Sequence, residues 1–203
     1  MRWWPRRVPD RPVADLHLVA VDVETTGLDP SRHELVSIGL VPVRGTAIDL
    51  GGAAQYAVRP DSPAGVGQSA TVHGITDDQA ARAQPLGEVL PELLSALQGG
   101  LLLAHHASIE VGFLARACRS LGLAPPDLTV VDTVRLQRRV LRRGHSLGHV
   151  ADEELTLERA RRHHGLPRYH SHDALSDALA CAELYLAQVA ALGGDLTLRH
   201  LVR

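Results

Sequence analysis

Aromatic side chains make up only 3 % of this 203-residue chain, so its core must be built from Leu, Val and Ala rather than from rings. Cysteine is scarce as well. Cys118 and Cys181 stand far apart in apolar, helix-like contexts, without pairing or metal-ligand spacing. That argues against a disulfide scaffold and fits reduced, buried thiols in a reducing compartment. Charge of one sign is not in excess: the formal net charge is −2, with Arg in place of Lys. No broad field attracts polyanions, so any nucleic-acid contact should be local and small. Behind the basic start Met1-Arg2-Trp3-Trp4-Pro5-Arg6-Arg7 no apolar stretch of signal-peptide length follows, and no run has the look of a membrane span. The expectation is a cytoplasmic protein with no membrane partner.

The length suits one well-buried domain. Residues 1–15, rich in Pro and Arg, read as a flexible lead-in, and 16–203 as the domain. Three strand-like runs come first: Leu16 to Glu24, Glu34 to Val43, and a third ending at Tyr56-Ala57-Val58. Pro85 to Leu97 has helical spacing, Gly99-Gly100 stops it, and Leu101 to Ala104 reads as a strand buried on both faces. Ser108 is placed to cap a helix running to about Leu121, Leu128 to Val131 is a fifth strand, and an Arg-rich helix follows. Leu155 to His164 and Asp173 to Ala191 read as two further helices. Strands first, then alternating helices and strands, predict an α/β domain with a mixed five-stranded sheet flanked by helices.

Chemistry concentrates in a few acids. Alternation along the first strand sends Asp22 and Glu24 to the same face. A carboxylate pair on an apolar strand is desolvated and self-repelling unless a cation joins it. By itself the segment admits either a metal site or a solvated strand end, since Gly27 places a turn right after the pair. Glu110 lies near the start of its helix with Phe113 and Leu114 one turn later on its face. His172 and Asp177 flank the start of the last helix, where Asp173 can cap. Asp132-Thr133 reads as a helix cap. The spacing of His145, His149, His163, His164 and His170 does not make a zinc site. The Arg runs 135–143 and 159–168 read as solvated helix faces, with Arg168 the best placed to touch a phosphate.

Asp22-x-Glu24-Thr-Thr-Gly, then His-x-x-x-Glu110-x-x-Phe-Leu, then His172-x-x-x-x-Asp177 resembles the three motifs of the DEDDh 3′-to-5′ exonuclease family, and in particular the epsilon proofreading subunits of bacterial DNA polymerase III. The segment His73-Gly74-Ile75-Thr76 strengthens the likeness, which covers roughly residues 16 to 190. It implies an RNase H-like fold and hydrolysis of phosphodiester bonds at 3′ ends of single-stranded nucleic acid, DNA favoured over RNA, releasing nucleoside monophosphates. It also implies two divalent ions, Mg²⁺ or Mn²⁺, held by Asp22, Glu24, Glu110 and Asp177, with His172 as general base. Thr25, Thr26 and Gly27 would receive the terminal nucleotide, with Leu28 and His73 wedging its base. His106, Phe113 and Arg168 complete the candidate substrate contacts, and a DNA polymerase subunit is a candidate partner.

Two positions depart from the family pattern: Glu110 stands where Asp is usual, and His106 where Asn is usual. Moving a catalytic group by about 1 Å can cost on the order of a hundredfold in rate, but a carboxylate of either length still ligates hard cations. An altered second metal site is therefore expected. The rival readings are a catalytically weak module that binds 3′ ends or a polymerase, and an exoribonuclease acting on short RNA.

Overall fold

The computed structural model describes residues 10–62, 65–99, 101–144, 150–169 and 172–202. The opening strand, β1 (His17–Thr25), is followed by β2 (Leu35–Arg44), β3 (Ala47–Ile48) and β4 (Ala54–Arg59). Two short helices, α1 (Ala70–His73) and α2 (Asp77–Ala81), precede β5 (Gln84–Pro85) and α3 (Leu86–Leu97). The second half alternates β6 (Leu101–Ala104), α4 (Ser108–Ser120), β7 (Val130–Asp132) and α5 (Thr133–Gly144), then closes with α6 (Leu157–His163), α7 (Ala174–Leu192) and α8 (Leu198–Leu201).

The sheet runs in the order β5-β4-β2-β1-β6-β7, with β3 paired to β2. β1 is antiparallel to β2 and parallel to β6, so the meander and the α/β half meet along it. The sheet has seven strands where the sequence predicts five. The two additional strands, β3 and β5, are two residues each, too short to show the alternation from which strands are read. Pro85 is tolerated because β5 is an edge strand, where the missing N–H costs no ladder bond.

Central β1 is apolar on both faces. Leu18 and Ala20 join a core with Val41, Val43, Leu103, Leu136 and the α7 residues Ala178, Cys181 and Tyr185. Val19 and Val21 join a second core on the opposite face, with Leu90, Leu93, Phe113 and Leu114 from α3 and α4. Asp22 and Glu24 follow Leu18 and Ala20 in the two-residue period, so they head toward the face that α7 covers. Although α7 is long and apolar enough to cross a membrane, it is a core helix here, packed on β1, β2 and α5.

Other local expectations shift slightly. Ala107, not Ser108, precedes the first turn of α4, and Ser108 is its first residue. The predicted helix 155–164 divides into a 3₁₀ turn, Asp152–Leu155, and α6, capped by Thr156. Within the segment expected to be a loose lead-in, 1–9 lies outside the described residues. Pro12 bridges to Thr197, and Val13 is buried with its N–H donating to the Leu196 carbonyl at 3.0 Å.

Candidate active site

Three loops and helix starts gather at the carboxyl end of β1. On one side, Gly39 stands opposite Asp22 in the β1–β2 register. A Cβ at Gly39 would sit 2.1 Å from the Ala174 carbonyl oxygen, so this glycine is what lets the first turn of α7 settle on the sheet. Asp173 caps that turn, accepting from the Ser176 N–H at 3.0 Å and hydroxyl at 2.6 Å. Its other oxygen accepts from Gln55 on β4 at 2.8 Å. Just before it, His172 adopts a left-handed φ of 68°, and its N–H donates to the Asp177 Oδ2 at 2.7 Å. This contact is made by the main-chain N–H, so the turn ties the backbone at His172 to the Asp177 carboxylate.

The result is that Glu24, His172 and Asp177 each offer a ligand atom within 4.8 Å of the others. Asp22 and Glu110 lie outside that tight set, but electrostatics ties them to it. Burial, then the charges of Glu110, Asp177, Glu24 and Asp173, push the Asp22 carboxyl well above its ordinary range. Glu24 is pushed up to about 7, by burial first and then by Asp177 and Asp173. Glu110 is buried at 4 % exposure and pushed up to about 8, chiefly by burial; its own backbone N–H opposes the shift and Asp132 adds to it. Burial also raises Asp177, against the opposing pull of the His172 N–H.

Among the described residues, none of Asp22, Glu24 and Glu110 is ion-paired with an Arg. The Glu110 Oε2 is buried without a hydrogen-bond partner. A half-buried group of like charges with a spare inward-facing oxygen is a poor resting state for a bare protein and a good donor set for hard divalent cations. These residues therefore fit hard divalent cations.

The flanking candidates divide. The Thr25 hydroxyl donates to the Gly27 carbonyl at 2.8 Å, and the Thr26 hydroxyl accepts the Glu34 N–H at 3.0 Å, so both brace the loop after β1. Gly27 packs closely against the His33 ring, which a Cβ would meet at 2.5 Å. Leu28 is 80 % exposed. His73 is held by the Ser69 hydroxyl at 2.9 Å, and its pKa is lowered by burial and then by the charge of His172, which puts it within the field of the site. His106 is exposed and, like His172, left-handed, at φ 64°. Arg168 is exposed, 3.6 Å from Glu158. Phe113 is corrected: at 1 % exposure it lies in the core with Leu90 and Leu93 and has no surface to offer a base.

Asp132 does cap, accepting the Val134 N–H at 2.9 Å. His163 and His164 meet ring to ring and His164 bonds Gln137, so neither is committed to a metal; His145, His149 and His170 lie outside the described residues. Sequence reasoning missed Gly39 and Gln55, whose roles depend on a helix over a hundred residues away. It also missed His105, whose Nδ1 is 2.8 Å from the Thr133 hydroxyl and whose buried ring is pushed down to about 4, chiefly by desolvation. That ring ties the end of β6 to the start of α5.

A mixed sheet flanked by helices, with a carboxylate pair at the end of its central strand, is an RNase H-like fold. More narrowly, the family model RNase_T, described as an exonuclease, matches residues 19–185, and the chain belongs to that exonuclease family. It is 29 % identical over 180 residues to a PolC-type DNA polymerase III of Thermotoga maritima, covering 87 % of this chain and 12 % of that protein. It is 32 % identical over 186 residues to a DNA polymerase III subunit epsilon-like protein of Rhodobacter capsulatus, covering 90 % and 25 %. The chain thus spans a quarter or less of these relatives. Among solved structures, the nuclease domain of 3′hExo, a DEDDh family member bound to rAMP, superposes with a TM-score of 0.68 at 18 % identity, covering 84 % of this chain and 90 % of that one.

Proposed function

We propose that this protein is a divalent-metal-dependent 3′-to-5′ exonuclease that releases nucleoside monophosphates from single-stranded 3′ ends. The observation that carries the reading is the meeting of Glu24, His172 and Asp177 within 4.8 Å, inside the field of Asp22 and Glu110. Asp22, Glu24, Glu110 and Asp177 would hold the cations, which when bound supply a Lewis acid for the phosphate and a more acidic water. His172, beside Glu24 and Asp177, would take the proton of the attacking water. The water oxygen bonds to phosphorus, the P–O3′ bond breaks, and the 3′ oxygen leaves with a proton on the shortened strand. Leu28 and His73 would hold the terminal base and Arg168 a phosphate.

DNA is the favoured substrate because both relatives named above are DNA polymerase III proteins. The same names support a polymerase as a partner, and the reading carries with it a cytoplasmic location. A weak binding module is the poorer reading, since it has no use for an imidazole within 4.8 Å of the Glu24 and Asp177 carboxylates.

Incubation of 5′-labelled single-stranded DNA with the protein and Mn²⁺ should give a ladder shortening from the 3′ end. EDTA and Asp22→Ala should each abolish it. A metal-independent ladder, or none on either DNA or RNA, overturns the reading.

A further inference from the structure

A cleft of about 440 Å³ opens between α6, the following segment and the start of α7, and it reaches His172 and Asp177. Tyr169 lines it. In a chain with few rings, this is the one Phe, Tyr or Trp classed as exposed among the described residues, at 37 %. Yet the ring is held. One face carries the Arg161 guanidinium, 4.6 Å from the centroid, and the phenol donates to the Glu183 Oε1 at 2.8 Å.

Arg161 in turn is almost wholly buried. It donates to the Ala180 carbonyl at 2.7 Å, the Pro167 carbonyl at 2.9 Å and the Glu183 Oε2 at 2.7 Å. An aromatic face fixed in solvent is preorganised for stacking. Arg162 and Arg168 also line the cleft, both tethered to Glu158, at 2.7 and 3.6 Å, and so sit where a phosphodiester backbone would be met by positive charge.

We propose that Tyr169 is a stacking platform for a nucleobase of the bound strand beside the one being removed. The proposal rests on the nuclease reading above. It concerns the ring face shared by DNA and RNA bases, which makes the contact sequence-tolerant.

The test is binding of fluorescently labelled oligo-dT to the full chain in Ca²⁺, read by anisotropy. An abasic strand of equal length and oligo-U run alongside. Tyr169→Ala and Tyr169→Leu should each weaken oligo-dT binding about tenfold, Tyr169→Phe should stay within about twofold, and all should bind the abasic strand alike. Loss on both dT and U assigns the platform to either nucleic acid, and loss on one alone assigns it to that one. Unchanged dT and U binding by Tyr169→Leu, or an equal loss on the abasic strand, overturns the proposal. Absence of any Mn²⁺-dependent ladder counts against the nuclease reading, whereas the affinity comparison judges Tyr169 either way.

Discussion

Replacing Glu110 by Gln should make the metal-free protein more stable, and increasingly so as the pH rises. The Glu110 carboxyl is pushed from an ordinary 4.5 up to about 8 by burial, with a push from Asp132. In the unfolded chain it ionises near its ordinary value, so between those limits the folded state binds the extra proton. The stability this group lends is present in full below about 4.5 and is lost as the pH climbs through 8. Carrying the linkage between about pH 6 and pH 8 gives a loss of roughly 2 kcal/mol. For a domain of this size that is a Tm difference of about 4–8 °C. Glutamine is nearly isosteric and does not titrate, so it escapes the loss. Thermal unfolding of both proteins in EDTA at the two pH values measures this directly, and the gap in Tm should widen in favour of Glu110→Gln at the higher pH. Mn²⁺ should then reverse the order, because only the parent has the carboxylate to offer. A gap independent of pH would refute the placement of Glu110 as a buried, unpartnered acid.

Two further substitutions test how the site is held. Gly39→Ala places a methyl where the Ala174 carbonyl now lies. It should cost roughly 1–3 kcal/mol and, by lifting the first turn of α7, remove the metal-induced rise in Tm. Normal metal stabilisation in that variant would show that α7 does not need this contact to place Asp177. Arg161→Met breaks a buried pair whose arginine side chain is 5 % exposed, and should destabilise by roughly 3–5 kcal/mol, with Tm lower on the order of 10 °C. A change under about 1 kcal/mol in urea unfolding would mean that Glu183 and the two carbonyls find other partners at no cost.

What the sequence revealed and what it hid follow from the range of each cause. The two carboxylates of β1 were legible because strand alternation is a two-residue rule and Leu18 and Ala20 set its phase. Asp173 as a cap was legible for the same reason, since its partner, Ser176, is three residues on. The meeting of Glu24 with His172 and Asp177 has no local signal. It depends on Gly39 admitting α7 to the sheet, and a lone glycine in a strand does not announce what comes to lie on it. Phe113 is a substrate-contact candidate only through the family resemblance, whereas its own apolar position reads as core, and at 1 % exposure the core reading holds. The two departures from the family pattern differ in kind. At residue 106 the structure demands a left-handed backbone, φ 64°, and His and Asn are both among the few residues that adopt it readily. That exchange keeps the turn and changes only what the side chain presents. At residue 110 the exchange keeps a carboxylate, and the structure shows it buried with its Oε2 unpartnered.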